Sequence, residues 1–338
     1  MTRRAQTLLT GTVVLAVLVW LLALVRVPYV AWVPGPTVNT LGSYDGKPVI
    51  VVEGKEPNKT GGNLNLTTVG VIDNISVIQA ISGWFSGSTA IVPREVVYPP
   101  TKSRDEIDQA NRADYVQSES SAIQAAMDYL GYPKKVIVVA PPKDSAIAAG
   151  DALEKVNGQP VATTEELAAV MGQIPPGTAT TVDYLHNGQP ATTQITTQDP
   201  PKDRTGSLLG MTVNVRGYGG FTVSFSQNDI GGPSAGLMLT LGIIDLVGPQ
   251  PLVEDEFVAG TGTIDPDGKV GPIGGIRFKL IKATEVGAKL FLTPADNCAE
   301  VLSDPPDGHP VLAKVTNLQD AVDAIADFRA GKKVTTCS

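Results

Sequence analysis

Six residues, Gly-Gly-Pro-Ser-Ala-Gly at positions 231–236, directly precede an apolar run from Leu237 to Val247 in which Asp245 is the one charge. A segment that is apolar all round predicts a helix buried on every side. Pro233 suits the first position of that helix, where an N–H would have no partner. The glycines allow the backbone to approach another group closely. The block therefore predicts that Ser234 stands at the N-terminus of a core helix, beside N–H groups with partial positive charge.

Two interpretations of Ser234 are open on this block alone. As a nucleophile, Ser234 would have backbone donors suited to an oxyanion, in a turn shaped by Gly232, Pro233 and Ala235. As a structural residue, it would simply cap a buried helix. A nucleophilic serine needs a base to accept its proton, so the rest of the chain has to decide between the two.

Histidine and cysteine supply no recognisable base. His186 stands without a triad context, and His309 lies in an Asp-Gly-His-Pro turn. Cys298 and Cys337 lack catalytic and zinc-binding spacings. In an oxidising compartment the two cysteines predict a disulfide, and two free thiols are the alternative. We therefore predict neither a metal nor a cofactor.

A second Gly-Gly block, Pro-Ile-Gly-Gly-Ile-Arg-Phe-Lys at 272–279, offers a lysine. On a helical wheel, Lys279 lies about 70° from the centre of the apolar face. That face consists of Ile276, Leu280, Ala283 and Gly287. Partial burial lowers the pKa of a lysine, because desolvation disfavours the ammonium, and a neutral lysine can act as a base near neutral pH. Taken alone, Lys279 also fits a side chain that reaches out to solvent, but paired with Ser234 it predicts a Ser-Lys dyad.

These two blocks resemble the proteolytic domain of the Lon protease family. Gly-Pro-Ser-Ala-Gly at 232–236 resembles its nucleophile motif. Ala-Gly-Thr-Gly-Thr-Ile followed by Gly-Lys-Val-Gly-Pro-Ile-Gly-Gly-Ile-Arg-Phe-Lys, between residues 259 and 279, resembles the block that carries its lysine. The resemblance implies that Ser234 is the nucleophile, that Lys279 is the base and that Thr261 helps to orient the lysine. The chain departs from the family pattern at Gly231, where an acid is common, and at Arg277, where a lysine is common.

The N-terminus predicts a membrane anchor. Residues 8–25 carry no charge, and a run of this length crosses most of the roughly 30 Å hydrocarbon layer of a bilayer. We predict a cytoplasmic tail at 1–6 and a transmembrane helix at 7–26. A cleaved signal peptide is the alternative, although no Ala-x-Ala-like site follows the run. Arg3 and Arg4 outnumber Arg26 across the span, which predicts a cytoplasmic N-terminus with the rest of the chain outside the cytoplasm.

The middle of the chain predicts two further units. Residues 27–115 form a β-rich segment of short strands with one helix before Trp84, and the charged stretch 102–114 predicts a boundary or mobile loop. Residues 116–200 include Ala-Gly-Asp-Ala-Leu-Glu-Lys-Val-Asn-Gly-Gln-Pro-Val at 149–161, which resembles a strand-turn-strand segment of PDZ domains. The resemblance implies that a peptide adds a strand to the sheet edge and that its C-terminus binds backbone N–H groups. The predicted binding residues are Leu130, Gly131 and Tyr132. A PDZ-like spacer that binds nothing is the alternative.

The last unit, 205–338, mixes strands with helices. Strands are predicted at 211–215, 221–225, 257–264 and 290–293, and helices after Ser234 and at 276–286 and 318–328. This mixture is typical of an α/β or α+β domain. We therefore predict an α/β (α+β) fold class for the chain, with an N-terminal transmembrane helix, a β-rich segment, a PDZ-like domain and a C-terminal Lon-type domain.

Composition and motifs narrow the function classes. The 338 residues carry a net charge of −8 and no long basic run, which argues against nucleic acid as a partner. Nothing resembles a P-loop, so no ATP is expected. The order of anchor, PDZ-like segment and Lon-type domain resembles the membrane-anchored, ATP-independent Lon-like proteases of bacteria, especially actinobacteria. The resemblance implies a single-pass cell-membrane serine endopeptidase that cleaves flexible or unfolded protein segments outside the cytoplasm as a homo-oligomer, expected to be a hexameric ring. A silent PDZ-based scaffold, a phosphate-binding protein and a signal-peptidase-like Ser-Lys enzyme are the alternatives.

Overall fold

Helix α1 (Arg3–Leu24) is the first element of the computed structural model, which describes residues 3–202, 205–226 and 231–338. Its mean hydropathy reaches 2.4, and within the described ranges it alone is long and apolar enough to cross a membrane. None of its residues is buried against protein. The helix is compatible with the predicted anchor, and its length and composition suit a signal sequence equally well.

The remaining elements follow in chain order. The other helices are α2 (Val77–Trp84), α3 (Arg94–Val97), α4 (Arg104–Tyr129), α5 (Thr164–Met171), α6 (Gly236–Val247), α7 (Ile276–Glu285), α8 (Cys298–Ser303) and α9 (Leu318–Arg329). The strands are β1 (Tyr29–Asn39), β2 (Ser43–Tyr44), β3 (Lys47–Pro48), β4 (Ile50–Glu53), β5 (Asn63–Ile72), β6 (Ala90–Pro93), β7 (Lys134–Ala140), β8 (Ala152–Val156), β9 (Gln159–Pro160), β10 (Ala179–His186), β11 (Gln189–Thr196), β12 (Thr212–Gly217), β13 (Thr222–Phe225), β14 (Phe257–Gly260), β15 (Thr263–Ile264), β16 (Val270–Gly271), β17 (Leu290–Pro294) and β18 (Val311–Val315).

A six-stranded sheet in the order β18-β17-β14-β5-β1-β6 forms the frame of the main domain. Strands β5, β14, β17 and β18 run parallel, whereas β1 is antiparallel to both β5 and β6. The first strand follows α1 almost directly, and residues 63–66 of β5 pair with β14. The N-terminal strands therefore form half of the sheet that also holds the C-terminal strands.

Helix α6 is the central element of the core. All twelve of its residues are buried, including Asp245, as the apolar run predicted. The Asp245 carboxylate accepts hydrogen bonds from the backbone N–H groups of Leu252 and Val253, at 2.8 and 3.0 Å. Burial raises the pKa of this carboxyl group, and the two donors satisfy one of its oxygens.

An inserted domain, residues 134–217, leaves the main domain after α4 and returns before β13. Its strands pair in the order β11-β10-β8-β7-β12, with β9 beside β8, and α5 lies next to β12. Two hydrogen bonds attach β12 to α4: Asn214 Nδ2 donates to Gln124 Oε1 at 2.8 Å, and the N–H of Gly217 donates to Asp128 Oδ1 at 3.0 Å. On its return the chain forms β13, which pairs with β4 of the main domain.

The α/β fold class is confirmed, but the structure draws the unit boundaries differently. The β-rich segment predicted at 27–115 is no separate unit, because β1, β5 and β6 join the main sheet. The sequence predicts the strand at 211–215 as part of the last domain, yet β12 (Thr212–Gly217) completes the sheet of the inserted domain. Both differences arise from pairing between strands far apart in sequence, which local patterns do not report.

The prediction of a boundary or mobile loop at 102–114 is wrong, because α4 begins at Arg104. Ser103 and Glu106 form a reciprocal capping box at its start: Ser103 Oγ accepts from the N–H of Glu106, and the Glu106 carboxylate accepts from the N–H of Ser103. The Ser-x-x-Glu spacing was visible in the sequence and is a helix-start signal. Charge content alone was a poor guide here.

The cysteines are joined in the structure. A Cys298–Cys337 disulfide closes a separation of 39 residues and attaches the C-terminal tail to α8.

Candidate active site

Three elements of the main domain bring their ends together at one place. Ser234 lies in a short 3-10 turn, Pro233–Ala235, that leads into α6. Thr261 follows the carboxyl end of β14, and Lys279 is the fourth residue of α7. The ends of parallel strands and the helices beside them are common places for sites in α/β sheets.

The three side chains form a continuous hydrogen-bonded chain. Lys279 Nζ lies 2.8 Å from Ser234 Oγ and 2.9 Å from Thr261 Oγ1. Thr261 Oγ1 donates to the carbonyl oxygen of Ser234 at 3.1 Å, and the N–H of Gly262 donates to the same oxygen at 3.0 Å. The residues predicted from separate sequence blocks are therefore in direct contact.

The direction of these bonds orients the lysine. Thr261 gives its one hydroxyl proton to the Ser234 carbonyl, so its oxygen can only accept from Lys279. A neutral amine that donates one N–H to Thr261 keeps a lone pair that can point at Ser234 Oγ. The arrangement can thus present a proton acceptor to the serine hydroxyl.

Burial favours the neutral form of Lys279. Its exposed fraction is 3 %, and desolvation lowers its pKa from 10.5 to about 7. Within the described ranges Lys279 has no carboxylate partner, so no ion pair offsets the cost of burying the ammonium. The helical wheel predicted only partial burial, because it could not include the strands that cover α7.

The backbone at the serine needs its glycines. Gly232 has a φ of 83°, a left-handed conformation that a side chain would strain. A Cβ on Gly236 would lie 2.8 Å from Ser118 Oγ, so α4 approaches the turn too closely for any larger residue. The same helix holds the turn by two hydrogen bonds, from the N–H of Gly232 to the Asn111 carbonyl at 2.9 Å and from Ser118 Oγ to the Pro233 carbonyl at 3.1 Å.

A cavity of about 580 Å³ opens onto Ser234 and Lys279. One wall consists of Thr67, Thr68 and Val69 of β5, at the point where β5 has passed the end of β14. Thr67 Oγ1 also donates to the Gly260 carbonyl at 3.0 Å, next to Thr261. This wall could not be predicted from the sequence, since the segment carries no catalytic residue type and its position depends on a distant strand pairing.

The three residues predicted to bind a peptide carboxylate line neither the cavity at Ser234 nor the groove of the inserted domain. Leu130, Gly131 and Tyr132 follow α4, where Leu130 and Tyr132 pack against the main core. The groove of the inserted domain instead lies between α5 and residues 205–213, with a volume of about 430 Å³. A Leu-Leu-Gly-Met sequence at 208–211 lines it. This apolar stretch follows the polar sequence Asp-Pro-Pro-Lys-Asp-Arg at 199–204, and that change in composition is the signal the sequence offers.

The two histidines are absent from the lining of the cavity at Ser234. His186 Nδ1 lies 2.8 Å from Asp151 Oδ1 in the inserted domain, and His309 contacts its neighbouring Pro310 carbonyl. Lysine is thus the basic side chain that the described structure brings to the serine.

Comparison with known proteins identifies the C-terminal region. Residues 228–325 match the Lon protease (S16) C-terminal proteolytic domain. The chain is 34 % identical over 102 residues to the Lon protease of Phenylobacterium zucineum, covering 30 % of this chain and 13 % of that protein. It is 38 % identical over 96 residues to Lon protease 2 of Bacillus subtilis, covering 28 % and 17 %. The mitochondrial Lon protease homolog of Caenorhabditis briggsae is 48 % identical over 66 residues, covering 20 % and 7 %. The matches thus span less than a fifth of the length of these relatives.

Solved structures similar to part of the chain include two PDZ domains. The PDZ domain of the SdrC-like protein from Listeria monocytogenes is 19 % identical, with a TM-score of 0.22, and the match covers 23 % of this chain and 86 % of that one. Its counterpart from Listeria innocua is also 19 % identical, with a TM-score of 0.22 and coverage of 24 % and 93 %.

The contacts at Ser234 and the match over 228–325 concern the same part of the chain. The C-terminal part of this protein therefore contains a Lon protease C-terminal proteolytic domain.

Proposed function

We propose that this protein is a membrane-anchored serine endopeptidase that uses Ser234 as nucleophile and Lys279 as general base. The observation that carries the proposal is the 2.8 Å contact between Lys279 Nζ and Ser234 Oγ, made by a lysine that is 3 % exposed. The presence of a Lon proteolytic domain supports peptide-bond hydrolysis. No metal or cofactor is required by this chemistry.

The proton path follows from the contacts. Neutral Lys279 accepts the hydroxyl proton as Ser234 Oγ attacks the peptide carbonyl, and Thr261 holds the amine in the required orientation. The resulting ammonium then gives the proton to the leaving amine. Water next attacks the acyl-enzyme ester as Lys279 accepts a proton from it. The bond between the acyl carbon and Ser234 Oγ then breaks, and Lys279 returns the proton to Ser234 Oγ, which releases the acid product and restores the hydroxyl and the neutral amine.

The helix start can stabilise the oxyanion. The N–H of Ser234 lies in the first turn, ahead of the i→i+3 hydrogen bonds of the 3-10 turn Pro233–Ala235, so no preceding carbonyl of that turn reaches it. It carries partial positive charge and needs no reorganisation during the reaction. Gly232 and Pro233 keep the backbone of this turn open to the substrate.

The wall formed by β5 suits an extended substrate. Residues 67–69 lie beyond the pairing with β14 and face the cavity, so a peptide can add alongside them as a strand. A cavity of about 580 Å³ admits a flexible segment rather than a folded domain. We therefore propose flexible or unfolded protein segments as substrates.

The cellular setting forms part of the proposal. The apolar α1 and the arginine bias at its start support a single-pass anchor with a cytoplasmic N-terminus and the protease outside the cytoplasm. No P-loop motif occurs in the 338 residues, which supports action without ATP. A hexameric ring, implied by the family resemblance, remains a prediction.

Degradation of an unfolded protein by the purified full-length chain tests the function. We expect cleavage of a denatured substrate such as casein in nucleotide-free buffer, lost in Ser234→Ala and in Lys279→Ala. The matched control is Lys282→Ala, because Lys282 lies on the same helix and forms a surface ion pair with Glu285 at 3.0 Å. Equal cleavage by wild type and Ser234→Ala would refute the proposal, and a strict requirement for ATP would remove its ATP-independent part.

We also propose that the groove of the inserted domain binds a peptide segment. Its apolar lining includes Leu167, Met171, Leu209 and Met211. Strand β12 pairs with β7 on one side and has α5 near its other side. It is therefore the edge strand to which a peptide could add, between β12 and α5. The groove would thus hold one segment of a substrate chain while another segment of the same chain reaches Ser234.

A further inference from the structure

An exposed apolar surface lies in the N-terminal half of the main domain. We call it the collar; its members are Val71, Ile72, Ile78, Ile81, Trp84, Phe85 and Val96. Trp84 is 73 % exposed and Phe85 is 88 % exposed. Beyond Val25 and Tyr29, the other large exposed apolar side chains of the described residues after α1 are scattered singly: Val116, Tyr129, Val139, Leu302 and Val311. Among the described residues after α1, only the collar forms a concentrated set, and such a surface on a folded domain is typical of a contact with a protein partner or a membrane.

The collar begins where α1 ends. The N–H of Val77, the first residue of α2, donates to the Val25 carbonyl at 3.0 Å, and the N–H of Val27 donates to the Ile75 carbonyl at 3.1 Å. Residues of α1 and α2 are neighbours in the fold. The apolar surface of α1 therefore continues into α2 without a spacer.

The two faces of α2 differ sharply. Ala80 and Gly83 are buried, and a Cβ on Gly83 would come within 2.6 Å of Ile91, so this face is closely packed on the domain. The outward face presents Ile78, Ile81, Trp84 and Phe85, which together span about 120° of a helical wheel. A capping box at Ser76 fixes the helix start, so the outward face has a defined orientation.

Charges are absent from the collar's central segment and present at its rim. Residues 74–92 contain no Asp, Glu, Lys, Arg or His. At the border, Asp73 is paired with both Arg94 and Arg104, and Arg26 donates to the Asn74 carbonyl at 2.9 Å. Apolar and aromatic side chains bordered by arginines are typical of segments that lie in the headgroup layer of a membrane.

We propose that the collar is inserted into the surface of the same bilayer that holds α1, so that the main domain is docked on the membrane and not merely tethered to it. The occupant of the surface is thus lipid, since the collar is continuous with a helix whose whole apolar surface is exposed. The inference rests on the proposed anchoring of α1. It adds a second, interfacial contact made by α2 and the turn at Trp84–Phe85.

The three tryptophans of the chain allow a direct test, because they lie in three different places: Trp20 in α1, Trp32 in β1 and Trp84 in the collar. Trp32 contacts Phe278 inside the fold, with ring centroids 6.5 Å apart, and provides a constant background. The full chain is reconstituted in phosphatidylcholine nanodiscs at one chain per disc. Fluorescence is then measured with lipids brominated near the headgroup end of the acyl chain and, separately, with aqueous iodide.

The difference between Trp20→Phe and the double variant Trp20→Phe, Trp84→Phe isolates Trp84. We expect brominated lipid to remove most of that difference signal and iodide to leave it largely unchanged. Phe85→Trp in the double variant supplies a second reporter with the same expected result. Quenching of both reporters by iodide and not by lipid overturns the proposal. Shielding that appears only with several chains per disc also overturns it and points to a second copy as the occupant.

Trp84→Phe alone separates this inference from the proposed function. In that variant Trp20 reports on α1, and a Trp20 that brominated lipid does not quench removes the anchor and the docked collar together. Quenching of Trp20 and Trp84 in a chain without peptidase activity would instead support the docked collar while refuting the proposed protease.

Discussion

The pH dependence of peptide hydrolysis tests the proposed base directly. Only the neutral form of Lys279 can accept the proton of Ser234, so kcat/KM should follow the fraction of enzyme in which this amine is deprotonated. That fraction increases as the pH rises through the pKa of Lys279. Activity should therefore be low in acid and reach a plateau in mild alkali.

The structure sets the size of the effect. With a pKa of about 7, Lys279 is about one-tenth neutral at pH 6, about half neutral at pH 7 and about nine-tenths neutral at pH 8. We therefore expect kcat/KM to rise about tenfold from pH 6 to pH 8 and then to level off. A lysine at its ordinary pKa of 10.5 would instead give an increase of about tenfold per pH unit up to pH 9 and beyond.

The assay must exclude a second group that titrates in the same range. Burial raises the pKa of Glu119 to about 7, and Glu119 adjoins Ser118, which donates to the Pro233 carbonyl in the turn that holds Ser234. We propose to measure kcat/KM for a short peptide without ionisable side chains, from about pH 5.5 to about pH 9.5, in wild type and in Glu119→Gln. Both should give the same midpoint.

Two results would refute the reasoning. An increase that continues in proportion to hydroxide through pH 9 would mean that Lys279 keeps an ordinary pKa. A midpoint near pH 7 that disappears in Glu119→Gln would assign the titration to α4 and not to the lysine.

Three further predictions concern other parts of the structure. Thr261→Val should lower kcat by about 10²-fold with little change in KM, because the lysine loses its orienting partner, and an unchanged kcat in steady-state assays would exclude that role. Lys279→Met should abolish activity yet stabilise the protein at pH 7 by about 2 kcal/mol, since expelling a proton from the buried amine costs about 4 kcal/mol and its two hydrogen bonds return about 1 kcal/mol each. The pKa of Lys279 in the folded state lies below its unfolded value, so the cost of burying the amine is full below pH 7 and declines towards pH 10.5. Thermal unfolding should therefore show that the stability gained by Lys279→Met is smaller at pH 9 than at pH 7. A variant less stable than wild type at pH 7 would contradict the lowered pKa of Lys279. Ala168→Arg, in the groove of the inserted domain, should slow degradation of a full-length unfolded protein but leave short-peptide hydrolysis unchanged, and equal protein degradation rates would argue against the groove as a substrate contact.

Local patterns predicted the parts of the site that depend on single elements. The apolar run after Ser234 predicted a buried helix because all its faces are apolar, and every residue of α6 is buried. The Gly-Gly block predicted a helix that carries Lys279 on the flank of its apolar face, and α7 begins at Ile276 as expected. In both helices the apolar pattern that predicts burial lies within a dozen consecutive residues, so it can be recognised without knowing which distant strands pair.

Features that depend on distant pairing could not be predicted in this way. The cavity wall at residues 67–69 exists because β5 pairs in parallel with β14, almost two hundred residues further along the chain. Strands β1 and β5 pack against α7, and Lys279 is buried beyond what its own helical wheel indicated. The groove of the inserted domain could not be located from the sequence for a related reason, since the order of its strands, with β12 added last, is a property of the whole sheet. The prediction that Leu130, Gly131 and Tyr132 bind a peptide stays a prediction.

The strand that carries the chain away from α1 also connects the proposed anchor with the site. Strand β1 begins at Tyr29, and Pro36 on the same strand lines the cavity at Ser234. Seven residues of extended chain span about 23 Å, and β1 is fixed on both sides by β5 and β6. Under the proposed anchoring, Pro36 at the cavity of Ser234 is therefore held at a set height of at most about 23 Å above the start of β1, not on a flexible tether. A flexible segment of a substrate protein that extends to that height from the bilayer can enter the cavity without being unfolded first. Such a geometry would let an enzyme of this type select flexible chains by position, where an ATP-driven enzyme selects them by unfolding.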